Sequence, residues 1–288
     1  MLSETIQNKI EKEINEEIIS SHTISHGLFT NSKITLKSGE KIFLKSQRKP
    51  NTFFKNHAYE LTLLSKSIPT PNIICTGDNF IALDWIDSQN QAYSMFGQYL
   101  AKLHKNSSEY FGFYFDNLIG ITEQNNAVDQ KITSWFDFFW EYRLIIQINL
   151  AYENQLISDE EVSFLKSIKA RVNQILDINI KPTLVHGDLW MGNIIFNSGK
   201  PIFIDPAPYY GHNEVDFSLL KMFGGFSNEL FEVYKKEIEI KRDFEKRLNI
   251  YMLYHYLNHL NIFGLSYKDN IFYLLNEINK KNYMKKFY

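Results

Sequence analysis

The sequence predicts an α+β fold, because strand-like and helix-like patterns of apolar residues occupy different parts of the chain. Residues 34–37 and 41–45 alternate in polarity on either side of Ser38-Gly39-Glu40, which is typical of a β-hairpin. After Ser88 the apolar residues recur mostly at helical spacing. This segregation favours α+β over alternating α/β. We expect two lobes, a β-rich domain at residues 1–87 and a larger helical domain at residues 88–288.

The other elements follow from periodicity and turn signals. Apolar residues at every fourth position predict an amphipathic opening helix: Leu2, Ile6, Ile10, Ile14 and Ile18. A helix at 52–67 is expected to stop before Pro69, and 80–83 is a candidate for a short buried strand. Further helices are predicted at 95–105, 135–154, 159–176, 215–222, 228–240 and 243–263, with a β-like interruption at 183–206.

Composition and charge exclude several classes of protein. Lysine plus arginine number 31 and aspartate plus glutamate 33, so the net charge of −2 does not favour binding to nucleic-acid backbones. The single cysteine, Cys75, rules out an internal disulfide, and no apolar run approaches the roughly 18 residues of a membrane span. The N-terminal segment lacks the apolar core of a signal peptide. We expect a cytoplasmic globular protein without nucleic-acid or membrane partners, and the oligomeric state stays open.

The β-like interruption carries residues that are typical of phosphate chemistry. A turn signal, NSGK, separates two apolar runs, and pairing Phe196 with Ile202 would fix the register of a hairpin. Asn193 would then lie directly opposite Asp205, about 5 Å away at Cβ. Two such oxygen donors can share Mg²⁺, which completes its shell with water and phosphate. Asp188 lies in the preceding loop, where a base could approach a substrate hydroxyl.

Each of these three residues also has an ordinary structural explanation. An aspartate in a turn often closes that turn, and Asn or Asp is common at the ends of a hairpin. Their combination, with a loop aspartate before a pair of oxygen donors, favours phosphoryl transfer.

Three longer motifs extend this pattern. They are HGDLWMGN (186–193), IDPAPYYGHNEVDFSLLKMFGGF (204–226) and FGFYFDNLIGITEQNN (111–126). On these motifs the chain resembles the protein-kinase-like small-molecule kinases, and among them the fructosamine (ketosamine) 3-kinase family. The tryptophan of the first motif and the Phe-Gly-Gly-Phe of the second separate it from aminoglycoside and choline kinases.

The resemblance implies roles for the residues of the second domain. Asp188 would be the catalytic base, and Asn193 and Asp205 would hold Mg²⁺ against the phosphates of ATP. Trp190 would lie beside the acceptor, where its ring can pack on a sugar or an amine. Four residues are expected to brace the catalytic loop: His186, His212, Glu214 and Asp216.

In the first domain the resemblance implies a nucleotide site. Lys45 is the candidate phosphate-binding lysine, and backbone amides from Gly27 to Thr30 could cover the phosphates, although this segment is poor in glycine. Three residues align with the hinge whose backbone meets adenine: Asp84, Trp85 and Ile86. A buried connector between domains would have the same sequence appearance.

The helix after Lys45 departs from the family pattern. The acidic partner that the family provides for the lysine falls at His57, and Glu60 follows three residues later on the same helix face. Two alternatives stay open: Glu60 pairs with Lys45 after a small shift of the helix, or the ion pair is lost.

The resemblance therefore implies an ATP-dependent kinase that phosphorylates the 3-hydroxyl of a ketosamine, free or bound to protein, in deglycation repair. One alternative is a kinase for another small acceptor, such as an aminoglycoside, choline or a thiosugar. The other is a nucleotide-binding pseudokinase. His57 and the glycine-poor segment favour it, whereas the intact Asp188, Asn193 and Asp205 oppose it.

Overall fold

The structure, a computed structural model, describes residues 2–90, 92–176 and 179–280. Contacts divide the chain into two compact units. The first unit comprises Met1–Leu103, Gly192–Ala207 and Ser227–Tyr234. The second unit comprises His104–Met191, Pro208–Phe226 and Lys235–Tyr288. The predicted α+β class is confirmed, and the domain boundary between residues 87 and 88 stays a prediction.

The strands and helices have the following bounds. The strands are β1 (Ile18–His26), β2 (Thr30–Leu36), β3 (Lys41–Ser46), β4 (Ile73–Thr76), β5 (Phe80–Asp84), β6 (Asn117–Ile119), β7 (Thr122–Gln124), β8 (Thr183–Val185), β9 (Ile194–Asn197), β10 (Lys200–Phe203) and β11 (Tyr209–Gly211). The helices are α1 (Glu4–Ile14), α2 (Phe53–Ser65), α3 (Tyr93–His104), α4 (Trp135–Phe139), α5 (Ile145–Glu153), α6 (Asp159–Ser167), α7 (Lys169–Leu176), α8 (Asp216–Phe223), α9 (Asn228–Lys235), α10 (Phe244–Phe263) and α11 (Lys268–Asn279). A π-helical turn, Trp140–Leu144, joins α4 to α5.

The first unit is built on a five-stranded antiparallel sheet in the order β1-β2-β3-β5-β4. The predicted hairpin is β2–β3, in which Ile34 pairs with Ile42. The opening helix buries Ile6 and Ile10 in the core of this sheet. It ends at Ile14, four residues earlier than its apolar pattern extends, because Asn15 adopts a left-handed conformation with φ 55°.

Strand β1 was not predicted from the sequence. Most of its side chains are exposed, and its sequence, IISSHTISH, is largely polar. Because β1 lies at the edge of the sheet, backbone pairing with β2 holds it there without a row of buried apolar residues.

The predicted register of the hairpin at 183–206 is wrong by one residue. Phe203 pairs with Ile194, where the prediction paired it with Ile195. The cause is the turn: Ser198 and Gly199 both have positive φ, 50° and 76°, as a two-residue type I′ turn requires. The turn is therefore one residue shorter than the predicted pairing of Phe196 with Ile202 requires.

This change of register moves Asn193 relative to Asp205. The Ile204 amide donates to the Asn193 carbonyl oxygen at 3.0 Å, so Asn193 lies opposite Ile204, one residue before Asp205. Asn193 also ends a short 3₁₀ turn, Met191–Asn193, and belongs to no strand. The prediction that Asn193 and Asp205 are directly opposed in the hairpin is therefore wrong. Asn193 immediately precedes β9, and Asp205 lies two residues after the end of β10.

The second unit is mainly helical and contains two short antiparallel pairs, β8–β11 and β6–β7. Arg143 in the π-helical turn is fully buried. Its guanidinium donates to the Asn125 carbonyl oxygen and to Asn126 Oδ1, and it stacks 4.2 Å from the ring of Tyr209. Arg143 therefore has a structural role, with carbonyl, amide and ring partners. Among the described residues, no helix combines the length and the apolar character needed to cross a membrane.

Candidate active site

In the first unit, Lys45 lies beside Asp205. Lys45 is a buried residue of β3, and its Nζ lies 2.5 Å from Asp205 Oδ1. The ring of Phe29, in the turn between β1 and β2, covers the same Nζ at 5.5 Å from its centroid. These residues are 160 positions apart in the sequence, so the fold itself joins the candidate phosphate-binding lysine to the candidate metal ligand.

The helix residues His57 and Glu60 lie next to this ion pair. His57 Nδ1 is 3.3 Å from Glu60 Oε2, and His57 Nε2 is 3.6 Å from Asp205 Oδ1. Phe53 stacks on the imidazole with ring centroids 5.5 Å apart. His57 therefore stands between the carboxylates of Glu60 and Asp205, an arrangement that neither of the two sequence-based alternatives included.

Asp205 has a backbone conformation that is uncommon for a residue with a side chain. Its φ is 48°, in the left-handed region, and its side chain is 42% exposed while Asn193 is buried. Left-handed non-glycine residues cost of order 1 kcal/mol and concentrate at functional sites. The turn of the backbone at this position directs the Asp205 carboxylate toward Lys45.

These oxygen donors fit a magnesium ion better than a metal held by protein alone. No group of three or more His, Cys, Asp or Glu side chains suited to a metal occurs in the described ranges. Mg²⁺ needs only one or two protein oxygens when phosphates and waters fill its shell. Asn193 and Asp205 would supply that number.

A cavity of about 280 Å³ adjoins Asp205 in the first unit. The hinge candidates Asp84, Trp85 and Ile86 line it, and its other walls are mostly apolar, with Ile24, Phe43, Leu61, Pro71, Leu83, Ser88, Ile194, Ile195 and Ile204. Such apolar walls beside a few polar groups are typical of small-molecule sites. The cavity suits a planar heterocycle such as a nucleobase.

The Asp84 carboxylate is occupied by a structural contact. It accepts hydrogen bonds from the Asn72 amide at 2.7 Å and from Asn72 Nδ2 at 2.9 Å. Burial raises its pKa, and the Asn72 hydrogen bonds oppose that shift. The Asp84 amide also donates to the Asn72 carbonyl oxygen at 3.0 Å, so both the side chain and the backbone of Asp84 are tied to Asn72.

The segment proposed to cover phosphates forms the turn between β1 and β2. His26 pairs with Thr30, and the Gly27 amide donates to the Phe29 carbonyl oxygen at 3.0 Å. A Cβ at Gly27 would meet no atom within 4 Å, so the turn itself does not require glycine there. The roles of Gly27 and Thr30 in phosphate binding stay predictions.

In the second unit, the buried side chain of Asp216 holds the loop that precedes Asp188. Its carboxylate accepts from the amides of His186 at 2.8 Å and Gly187 at 2.9 Å, and His104 Nε2 lies 3.0 Å away. Burial by itself would raise the pKa of Asp216, but His104 and the contacts of His186 outweigh it and lower this pKa. The carboxylate is therefore charged and fixes the backbone of the HGD motif.

Buried polar contacts support the start of α8, where Asp216 lies. Arg247 binds Glu214 in a bidentate pair, with Nε–Oε2 and Nη2–Oε1 both at 2.7 Å. His212 Nδ1 is 2.8 Å from the Tyr251 hydroxyl, which accepts from Trp135 Nε1 at 3.0 Å. Sequence reasoning singled out Glu214 and His212 but missed Arg247, Tyr251 and His104. Single charged or aromatic residues on helices carry no motif that would have identified them.

We expect the free energy of unfolding to fall as the pH is lowered below neutrality. Burial lowers the pKa of His255 to about 3, while an unfolded histidine titrates near 6.5. Between these pH values the unfolded chain binds a proton that the folded chain does not, which removes about 1.4 kcal/mol per pH unit. Burial also lowers the pKa of His212 well below 6.5, so it adds to the same loss.

Urea unfolding at a series of pH values between 7 and 5 measures this slope. The variant His255→Gln is expected to reduce the average slope over this range by about 1 kcal/mol per pH unit, because glutamine does not titrate and an unfolded histidine is only partly protonated near pH 7. An equal slope in the variant and the wild type would contradict the assignment to His255.

The Phe-Gly-Gly-Phe segment, 223–226, packs against the catalytic loop. Gly225 has a φ of +104°, and a Cβ there would lie 2.3 Å from Met191 Cγ. Gly224 also has a positive φ, 81°. These glycines let the backbone approach Met191 closely, and the Phe223 ring lies 5.9 Å from that of Trp190.

Comparison with known proteins places this geometry in context. The family model described as fructosamine kinase matches residues 1–281. A probable ketoamine kinase of Enterococcus faecium is 33% identical over 229 residues, which cover 77% of this chain and 82% of that protein. A chloroplastic protein-ribulosamine 3-kinase of Arabidopsis thaliana is 36% identical over 212 residues, covering 70% of this chain and 62% of that protein.

Among solved structures, a protein from Thermobifida fusca described as a fructosamine-3-kinase superposes with a TM-score of 0.88. The match covers 96% of this chain and 99% of that chain at 22% sequence identity. This likeness confirms the predicted protein-kinase-like fold.

Proposed function

Because the chain belongs to the fructosamine kinase family, we propose that it transfers the γ-phosphoryl group of ATP to the 3-hydroxyl of a ketosamine. The relatives named ketoamine kinase and protein-ribulosamine 3-kinase favour a ketosamine over an aminoglycoside, choline or a thiosugar as acceptor. The phosphorylated adduct would then break down and release its amine, so the biological role would be deglycation repair.

The observation that carries this proposal is the contact between Lys45 and Asp205. A kinase needs a cation for the phosphates next to an anion for the metal. Here the two groups lie 2.5 Å apart, buried on one side by Phe29, and next to an apolar cavity. In this proposal the adenine ring of ATP occupies the cavity, beside Asp84, Trp85 and Ile86.

Each residue of the proposed site has its own role in the reaction. Lys45 binds the phosphates, helped by the backbone from Gly27 to Thr30, and Glu60 acts on the site through His57. Asp188 accepts the proton of the attacking 3-hydroxyl as its oxygen bonds to phosphorus and ADP leaves. Trp190 packs on the acceptor. Because phosphoryl transfer needs little covalent chemistry from the protein, positioning supplies most of the rate.

Magnesium and the loop-bracing residues complete the proposed site. Asn193 and Asp205 would hold Mg²⁺, which neutralises phosphate charge when bound. Asp216 with His186 fixes the loop before Asp188. His212 and Glu214 stabilise the segment that carries Asp216. The cytoplasmic location stays a prediction from the sequence.

The test is an acceptor panel assayed with Mg-ATP. We expect ADP release and a phosphorylated product with ribulosamine or fructosamine adducts of lysine, and at least tenfold lower kcat/KM with an aminoglycoside or choline. Transfer to none of the ketosamines would reject the substrate assignment. Binding of ATP in a thermal-shift assay without transfer to any acceptor would identify a pseudokinase.

A further inference from the structure

A row of aromatic rings begins at Trp190, two residues after Asp188, and continues across the second unit. We call it the aromatic strip, and its members are Trp190, Phe223, His259, Phe263 and Tyr267. Successive ring centroids from Trp190 through Phe223 and His259 to Phe263 are 5.9, 5.1 and 5.4 Å apart. Tyr267 packs 5.1 Å from His259 and 6.0 Å from Phe263. The row is therefore continuous from the catalytic loop to the end of α10.

Three members of the strip are exposed, while His259 and Tyr267 are half-buried. Trp190 is 39% exposed, Phe223 44% and Phe263 62%, and the neighbouring Leu265 is 61% exposed. Single exposed apolar residues are ordinary, whereas larger exposed apolar patches are typical of binding surfaces.

No member of the strip carries a formal charge at neutral pH. His259 Nδ1 donates to the His255 carbonyl oxygen at 2.8 Å, and burial lowers the pKa of His259 below its usual value. An occupant is therefore held by ring stacking and apolar burial, not by ion pairing.

The near end of the strip is fixed to the catalytic loop. Gly225 lies so close to Met191 that a side chain at this position would collide with it. This contact ties the end of α8, and so Phe223, to the residue that follows Trp190. A ligand part that leaves the acceptor site past Trp190 therefore meets Phe223 next.

We propose that the aromatic strip binds the peptide that carries the ketosamine, through a large apolar or aromatic side chain near the modified lysine. The inference rests on the proposed function and specifies its substrate class. Its basis is the continuity of the strip with Trp190 and the length of the row. A free amino-acid adduct would reach only the first rings, whereas an extended peptide advances about 3.4 Å per residue and spans the row in roughly five residues.

Two ribulosamine-modified peptides test this, identical except for Phe or Glu at the third residue after the modified lysine. We expect wild-type protein to favour the Phe peptide about tenfold in kcat/KM, mainly through a lower KM. Phe263→Ala should abolish this preference and Phe263→Tyr should retain it. Phe164→Ala is the matched control, because Phe164 is a half-exposed aromatic residue on α6 that stacks on Phe272, outside the strip.

Other outcomes overturn the proposal. If the preference for the Phe peptide survives Phe263→Ala, or if the wild type shows no preference, the strip does not recognise the peptide. If Phe263→Ala instead dissociates an oligomer in light scattering and leaves the preference unchanged, the strip is a contact between copies of the chain. Transfer to a small ribulosamine without peptide preference rejects only this inference, whereas transfer to no ketosamine rejects the proposed function and this inference together.

Discussion

Replacement of Asp188 by asparagine is expected to lower kcat about a thousandfold while leaving the affinity for ATP nearly unchanged. Asparagine has almost the same shape as aspartate but cannot accept the proton of the acceptor hydroxyl. The loop should keep its conformation, because Asp216 holds it through the amides of His186 and Gly187, which the substitution leaves intact. Steady-state kinetics on a ketosamine, with ATP binding followed by thermal shift, separates the two effects.

The matched control for this variant is Asp137→Asn, which makes the same chemical change at an exposed residue of α4. Its kcat should equal that of the wild type. If Asp188→Asn retains a kcat within tenfold of the wild type, Asp188 is not the base, and the proposed mechanism loses its proton acceptor.

Replacement of Arg247 by methionine is expected to destabilise the protein by about 3–5 kcal/mol. Arg247 and Glu214 are both buried, and burial raises the pKa of Glu214 although Arg247 opposes that shift. Without Arg247, a buried carboxylate loses its two hydrogen bonds of 2.7 Å. Urea unfolding at pH 7 measures the loss, and the thermal midpoint should fall by roughly 10 °C.

Two further variants show whether the cause is the unpaired charge. Arg242→Met removes an exposed arginine from the preceding segment and should cost less than about 0.5 kcal/mol. The double variant of Arg247→Met with Glu214→Leu should be more stable than Arg247→Met alone, because no charge is then left buried. If the double variant is as unstable as Arg247→Met alone, the loss of stability comes from packing and not from the unpaired charge.

Local patterns predicted much of the fold. The hairpin β2–β3 and the helix α2 appear where alternation and helical spacing indicated them. The long helical segment after Trp135 was also predicted, although a π-helical turn interrupts it. Strand β1 was missed, because an exposed edge strand is held by backbone pairing and leaves little apolar pattern in the sequence.

In the candidate site, too, sequence motifs identified some features and missed others. Motifs identified Asp188, Asn193 and Asp205 as a set, but the assumed length of the turn misplaced the hairpin by one residue. The conformation of Ser198 and Gly199 decides that register, and two turn lengths are compatible with the same four letters. The position of His57 between Glu60 and Asp205 also required the structure, because sequence spacing orders residues on one helix but not the side chains that pack against it.

The sequence by itself determined the α+β class, the order of most elements and the residue types for phosphate chemistry, because these depend on periodicity and on motifs within short stretches. Only the tertiary structure decided which groups meet across the chain. Lys45 reaches Asp205, Arg247 reaches Glu214, and the rings of Trp190 and Phe223 join. Contacts of this kind depend on how distant segments pack, which no local pattern of residues specifies.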